Sequence, residues 1–588
     1  MSYSRAKALG GLLVLLLIGL AVYYPALHRS FVYDDILTVR DNDFIARPGN
    51  LLHLWGMEYL RGAGEQSYRP VLTGSYIIDC AIWGKAPFGF SLTNLLIHIA
   101  GAWLLGLLLW LWFPHRGLFA GAAALLYLLA AAISETVISP GHREQVLSVL
   151  LMLAGAHAWT QARAGRAWVR PAAPILFFVA CMTLEWSVLA PFALLAWAWA
   201  SGDDRRQALR ATWPELAAVG LFLALYAFAL PREDVDVKWI GGGHLGGLWN
   251  FGPLVARYVR IALLPLNLRP YYTFQPTPVR WAAVANVALW AVVLAAGWAL
   301  YKRRAWGLGP LLFVAALLPM GHVTGPFWIP LAERYLALPL LGGIPLLAAA
   351  LTANKRRLAI APAVVIFFAW AALARGHAMD WRDGIYLWGK AVALEPDDPV
   401  SWTNYAASLA AHGEREPAIE AHRRAWAAAT RAGEENAQQP MNVAQALAAA
   451  GRPAEACDLL AEQAPRFRLE REWLLDLGRL CAGRRQKMAV DALAQVVSRN
   501  LNDGEAWADF CAVDPSRAQS CVREALQHCP DDGRLWLHVA AINEALGDAA
   551  KAAQAVGVAL RSPQGESLRD PALALLQRLK ARERGAAP

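Results

Sequence analysis

Eleven apolar runs punctuate the first 375 residues, and they constrain this chain more than any other feature. They fall near 8–25, 91–113, 117–134, 145–161, 172–184, 186–200, 213–231, 280–301, 307–320, 335–353 and 358–374. A hydrocarbon layer about 30 Å thick is crossed by roughly 20 apolar residues of helix. Inside it every backbone N–H and C=O must be satisfied within the chain. The runs therefore predict an all-α, polytopic membrane body with about eleven transmembrane helices. The first run follows Arg5 and Lys7, and no small-residue cleavage site follows it, so it is expected to remain as a span rather than to leave as a signal peptide.

The net charge of +9 raises the question of nucleic acid. The basic residues argue against it, because they lie in short clusters between apolar runs. Arg5/Lys7, His115-Arg116, Arg163 to Arg170, Arg205/Arg206/Arg210, Lys302-Arg303-Arg304 and Lys355-Arg356-Arg357 all fall on one side if the N-terminus is cytoplasmic. No nucleic-acid partner is expected. The opposite side then collects loops 26–90, 135–144, 232–279 and 321–334, plus everything after about 375. Loop 26–90 is too polar to span and too long for a turn, and segments such as Leu51 to Tyr59 are expected to lie on the membrane. Loop 232–279 mixes Gly241-Gly242-Gly243 with an aromatic-rich Arg257-to-Tyr272 segment.

After residue 375 the composition turns to Ala, Glu, Arg and Gln at helical spacing. Laying Trp402 on Trp536 brings Gly413 onto Gly547, Ala418 onto Ala552 and Ala425 onto Ala559. An early aromatic, a turn Gly and small residues at a close helix crossing form the tetratricopeptide pattern. Gly451 and Ala456 fit a further, degenerate unit, Trp507 begins another, and Ala391 with Pro396 ends a unit beside the last span. The plain alternative, a generic Ala-rich helical array, gives the same α-solenoid. The chain thus reads as a body over 1–375 and a repeat domain over 376–588. Five of the 7 Cys, at 457, 481, 511, 521 and 529, lie in the repeats. They are inert thiols if the repeats are cytosolic and candidates for disulfides if they are exported. No Cys/His spacing calls for zinc.

Four polar clusters reach the same predicted side. Asp34-Asp35 follow the first run. Tyr68-Arg69-Pro70 lead on to Asp79, Asn94 and His98. Ser139-Pro140-Gly141-His142-Arg143-Glu144 end the third run, and Ala332-Glu333-Arg334-Tyr335 enter the tenth. Charge at a hydrocarbon boundary is costly and tends to mark function. Sugar transfer from a phospholipid needs a carboxylate that takes the acceptor's proton and cations that stabilise the departing phosphate, for which the Arg fork is well shaped. Each cluster also has a duller reading. An Asp-Asp pair is usually solvated, Arg334 can pair with Glu333 or snorkel to head groups, Arg69 can cap a loop, and Asn94 with His98 more often makes an inter-helix hydrogen bond. Glu185 is either a span-end residue or a re-entrant functional acid. The coincidence of all four clusters on one side favours chemistry.

The stretch Phe31-Val32-Tyr33-Asp34-Asp35, with Tyr68-Arg69-Pro70, Ser139 to Glu144, Ala332 to Pro339 and the repeats, resembles the TMTC family of transmembrane and tetratricopeptide-repeat O-mannosyltransferases. Those proteins belong to the GT-C membrane glycosyltransferases, and bacterial relatives share the layout. The resemblance implies Asp34 or Asp35 as base, Glu144 as a second acid and Arg334 as a contact to a lipid phosphate. Arg69, His142, Arg143, Glu185, Glu333 and Tyr335 join them as donor-phosphate or substrate-binding candidates. It also implies a polyprenyl-phosphate-linked sugar donor, an exported protein acceptor held by the repeats and a setting in the inner membrane with periplasmic repeats. The sequence departs from the family where Leu184 stands for a Lys, where Met152 and Ala154 stand for Arg and Asp, and where Ser91 stands for a His. Two other readings stand beside this one: a lipid- or glycan-directed transferase or ligase of the envelope, and a non-catalytic membrane-anchored repeat scaffold. The adjacent acids are also a conceivable divalent-cation site, although nothing completes a ligand set.

Overall fold

A computed structural model describes residues 5–56, 68–229, 240–323, 329–353, 360–467, 470–514, 516–565 and 567–585. Every regular element among them is helical. The chain divides into two compact units, Met1–Leu394 and Glu395–Pro588.

The boundary lies later than the change of composition placed it. The helix Ile360–Asp380 runs unbroken past residue 375, and the Gly384–Leu394 helix follows it. Trp381 and Trp388 are both fully buried, and the Ser30 N–H donates to the Arg382 carbonyl at 2.9 Å. Two indoles with nowhere else to bury their surface bind 376–394 to the first unit.

Among the described residues of that unit, five helices are long and apolar enough to cross a membrane: Arg5–His28, Pro87–Trp112, Arg205–Ala227, Val279–Tyr301 and Ala361–Asp380. A sixth appears if Gly117–Leu129 and Ala131–Ile138, bent by 50° at their junction, are one span. Against an expectation of about eleven spans, the described residues thus hold five or six helices of that length and apolarity. Several of the other apolar runs form shorter helices, such as Ala167–Cys181, Leu189–Ala200, Ala305–Ala315 and Pro339–Thr352. Runs 172–184 and 186–200 meet at a turn over Thr183-Leu184-Glu185, and run 145–161 sits in a 21-residue helix whose first turn carries Arg143 and Glu144. Close crossings compact this set: a Cβ on Gly309 would lie 2.7 Å from the Gly342 carbonyl oxygen.

The bend frees the Leu128 carbonyl from its helix. The Tyr23 hydroxyl and His98 Nε2 each reach it at 3.2 Å. A carbonyl released at membrane depth must find such donors, so the His98 side chain caps a broken helix. Asn94 does the same work one turn away, donating to the Ser139 carbonyl at 3.1 Å. Of the segment Leu51 to Tyr59, residues 57–59 lie outside the described residues. The remainder is a short 3-10 turn with Leu51, Leu52 and Trp55 exposed.

The second unit is a tetratricopeptide-type α-solenoid of five helix pairs closed by Arg569–Gly585. The pairs are Pro399–Ala411 with Arg415–Ala432, Gln438–Ala449 with Pro453–Phe467, Arg471–Cys481 with Gln486–Arg499, Gly504–Val513 with Ala518–His528, and Gly533–Ala545 with Ala549–Arg561. The turn glycines at 413, 451 and 547 take φ of 82°, 82° and 81°, a left-handed turn that a Cβ disfavours. Trp402, Trp507 and Trp536 each donate their indole N–H at 2.8 Å to the carbonyl six residues earlier. Four residues before each Trp, Asp398, Asp503 and Asp532 cap the same helices with side-chain oxygens. Cys457–Cys481 and Cys511–Cys521 are disulfides, and Cys529 is a buried thiol.

Candidate active site

The segment after the first helix reaches the site through a strained residue. Tyr33 has φ of +55°, unusual for a side chain of its size. The turn it makes sends the two adjacent acids in different directions.

Asp35 points inward and is entirely buried. It ion-pairs with the buried Arg29 and accepts hydrogen bonds from Ser139 Oγ at 2.7 Å and from the Gly141 N–H at 2.8 Å. Arg29 in turn donates to the Ile138 carbonyl at 2.6 Å and lies over the Trp381 ring. Both carboxylate oxygens of Asp35 are thus engaged, and its role is to fasten this loop to 138–141.

Asp34 points outward, its side chain 40% exposed. One oxygen, Oδ2, is 2.9 Å from His142 Nε2, and among the described residues the other makes no hydrogen bond. His142 is buried, and its Nδ1 lies 3.5 Å from Glu135 Oε1. That same oxygen accepts from Arg334 Nη1 at 2.8 Å. The result is a row of alternating charge: Asp34, His142, Glu135, Arg334. Burial and Arg334 disfavour the imidazolium, but Glu135 and Asp34 outweigh them and raise the His142 pKa above its ordinary 6.5. Burial likewise opposes ionisation of Asp34, yet the hydrogen bond and charge of His142, with Arg334 beyond, hold its carboxyl below the usual range.

Glu333 occupies a drier pocket behind this row. Tyr272 donates to its Oε1, as does the Arg269 N–H at 2.6 Å. Burial first, and then the neighbouring Glu135, raise its pKa well above that of an ordinary carboxyl and favour its protonated form. His377 lies 3.7 Å from the other oxygen. The Trp381 indole can only donate, so His377 Nε2 accepts at 3.0 Å, and Nδ1 carries the proton toward Ser134 Oγ at 2.8 Å.

The remaining candidates separate. Tyr335 is buried beneath Arg334, whose guanidinium lies 5.1 Å from its ring centre, and it meets Trp186 edge-on at 5.3 Å. Glu144 is buried, with Oε1 beside Gln145 at 3.4 Å and, among the described residues, no hydrogen-bond partner for Oε2. Arg69 and Glu185 form a part-buried, two-pronged ion pair at 3.0 and 3.2 Å. That pair fills the break between the two short apolar helices, next to Trp186. Arg143 turns away. It is wholly buried and donates to Asn94 Oδ1, the Ser75 carbonyl and hydroxyl, Asp79 Oδ2 and the Phe90 carbonyl. A phosphate contact through Arg143 is therefore corrected to a structural role, because its donors face the protein.

One turn after Arg334, Leu338 opens an apolar cavity of 350 Å³ that runs along Leu341, Pro345 and Met152 to Trp306 and Arg116. Among the described residues no three His, Cys, Asp or Glu side chains group as ligands for a metal. Asp35 cannot join Asp34 on a cation, since its oxygens already face Arg29, Ser139 and Gly141.

Sequence reasoning missed Glu135, Arg29, Tyr272 and His377. Glu135 and His377 sit within or beside apolar runs and carry a visible signal, since an ionisable residue in such a run is unusual. Tyr272 carries none, because its partner Glu333 is remote in the chain, and Arg29, six residues before Asp35, has nothing in its local sequence that marks it as that acid's partner.

A scan of known protein families finds no match. Among curated proteins the chain is 28% identical over 168 residues to the protein O-mannosyl-transferase Tmtc1 of Drosophila melanogaster, covering 28% of this chain and 19% of that one. It is 32% identical over 88 residues to the TMTC2 protein O-mannosyl-transferase of Homo sapiens, covering 14% and 10%. To the Mus musculus TMTC1 enzyme it is 30% identical over 143 residues, covering 22% and 14%. The chain thus spans less than a fifth of the length of these relatives. Among solved structures, YrrB, a tetratricopeptide protein with an unusual peptide-binding site, covers 32% of this chain and 96% of its own at 20% identity. Its TM-score of 0.22 is too low to carry a comparison of folds. Over these stretches the chain is similar to the TMTC transmembrane O-mannosyltransferases.

Proposed function

We propose that the chain is a membrane glycosyltransferase that moves a sugar from a polyprenyl-phosphate donor to a hydroxyl of an exported protein. The observation that carries this reading is Asp34: a part-exposed carboxylate with one free oxygen, held ionised by a buried His142 and close to a buried Arg334. In the transfer step the acceptor oxygen bonds to the anomeric carbon as the bond from that carbon to the phosphate oxygen breaks. The electron pair leaves with the phosphate, and the acceptor's proton passes to Asp34. Arg334 offers positive charge where negative charge develops. The cavity that begins at Leu338 suits the hydrocarbon tail. No step here is routed through a cation.

The repeats are assigned the acceptor, since stacked helix pairs present an extended binding surface. Two disulfides among them suit an oxidising compartment, in keeping with a cytoplasmic N-terminus and periplasmic repeats in an inner membrane. The test is mass spectrometry of exported proteins from cells carrying the wild-type chain or Asp34→Asn. A hexose-sized adduct on Ser or Thr, lost in the variant, supports the reading. Identical adducts in both would refute it.

A further inference from the structure

Glu135 lies on Ser134–Ile138, the short limb beyond the 50° bend. Three neighbours pin this limb: Arg29 on the Ile138 carbonyl, Asn94 on the Thr136 carbonyl at 3.4 Å, and His377 on Ser134. Glu135 itself is wholly buried. Its Oε1 is the atom shared by Arg334 at 2.8 Å and His142 at 3.5 Å, and its Oε2 makes no hydrogen bond among the described residues. A buried carboxylate with half its acceptor capacity unused is costly to keep for packing alone.

We propose that Glu135 is the positioning residue of the transfer reaction, fixing through one oxygen both the imidazole that orients the base and the guanidinium assigned to the donor phosphate. This rests on the reading of Asp34 as base. The imidazole lies between two carboxylates: Nε2 is hydrogen-bonded to Asp34 at 2.9 Å, while Nδ1, which makes no hydrogen bond among the described residues, faces Glu135 Oε1 at 3.5 Å across a charge contact. The charged and titratable groups facing His142 are Asp34 from the loop, Glu135 from the short helix and Arg334 from the 333–336 turn, with the rings of Tyr33 at 6.1 Å and Trp381 at 6.5 Å. Only the two carboxylates favour the imidazolium. Without Glu135, His142 keeps one anion and gains freedom to rotate, and Arg334 loses the partner that aims it.

The experiment uses full-length protein in lipid nanodiscs, as wild type, Glu135→Gln, Glu135→Asp and Asp34→Asn. Histidines labelled with ¹³C and ¹⁵N report the titration of His142. Transfer is followed with polyprenyl-phosphate mannose and a Ser/Thr peptide library. In Glu135→Gln the His142 titration should move to lower pH, and kcat should fall by about 10²-fold with little change in donor KM. Glu135→Asp should keep the raised titration and lose part of the rate, because the shorter side chain withdraws Oε1. If Glu135→Gln does not fold, wild-type kcat in Glu135→Asp overturns the proposal. If mannose is not transferred by the wild type, an unchanged His142 titration in Glu135→Gln overturns it. Full transfer by Asp34→Asn would sink the base assignment itself. An inactive Asp34→Asn beside a fully active Glu135→Gln with an unmoved titration would sink only the role of Glu135.

Discussion

Gly141 stands so close to Asp34 that a Cβ on it would lie 3.0 Å from the Asp34 carbonyl carbon and 3.1 Å from the Asp34 Cβ. The approach lets the Gly141 N–H reach Asp35 and lets His142, next in sequence, reach Asp34. Neither side can yield cheaply, since Asp35 is tied by Arg29 and Ser139. Gly141→Ala should therefore separate His142 from Asp34, lower kcat and destabilise the fold by about 1–3 kcal/mol. Thermal unfolding measured alongside transfer checks both parts.

The two adjacent acids should fail in different ways. Asp34→Asn keeps the shape and removes the proton acceptor, so transfer should drop by about 10²–10⁴-fold while unfolding is little changed. Asp35→Asn leaves Arg29 as a buried charge without its counter-ion, which costs about 3–5 kcal/mol when a buried pair is broken. Denaturation midpoints of the two variants should differ clearly. Equal stability would mean that Arg29 finds another anion.

The pH profile should be broad. Asp34 must be ionised, and its folded pKa is depressed, so the acid limb of kcat/KM should lie below the ordinary carboxyl range. Its stabilising contribution is present above its unfolded pKa and is lost as pH falls through the folded value. His142 is shifted the other way: its contribution is complete below 6.5 and is lost as pH rises through a folded pKa above that. The alkaline limb should follow it. In His142→Gln the Asp34 carboxyl loses its hydrogen-bonded cation, and the acid limb should move upward.

Truncation should be sensitive to the position of the cut. Removal of residues after Leu394 should abolish protein modification while sparing any hydrolysis of the lipid donor, because the first unit is left whole. Removal after Arg375 also deletes His377, Trp381 and Trp388, which pack around Arg29, Ser134 and Tyr33. It should abolish both activities. Protein modification that survived the Leu394 cut would favour a lipid or glycan acceptor as the natural one.

The repeats were open to sequence reading because their signals are local. A turn glycine at φ near 82° and an indole bonded six residues back are set by neighbours in the chain. The Asp–Trp spacing at 398/402, 503/507 and 532/536 is equally local, since each Asp caps the helix that carries its Trp. Half of the site was legible, since Asp34, His142, Glu333 and Arg334 stand in short polar clusters. Sorting them was not. Nothing in Asp34-Asp35 says which acid is buried, because Ser139 and Gly141, which decide it together with nearby Arg29, lie more than a hundred residues away. Arg143 looks as available as Arg334 until Asp79 and Asn94 enclose it. Span length was less legible, because apolarity marks where a helix prefers lipid but not where it bends, as at Ala130, where Tyr23 and His98 receive the Leu128 carbonyl.

The two disulfides act on different terms of a linear array. Cys511–Cys521 joins the two helices of one pair, whose second helix has only 11 residues. Cys457–Cys481 joins the second helix of one pair to the first helix of the next. In a stack where each repeat touches only its neighbours, the first bridge strengthens a repeat and the second strengthens an interface. Unravelling from the C-terminal end should thus pass easily through 533–585 and stall at Cys521. After reduction it should run on, one pair at a time, toward residue 399.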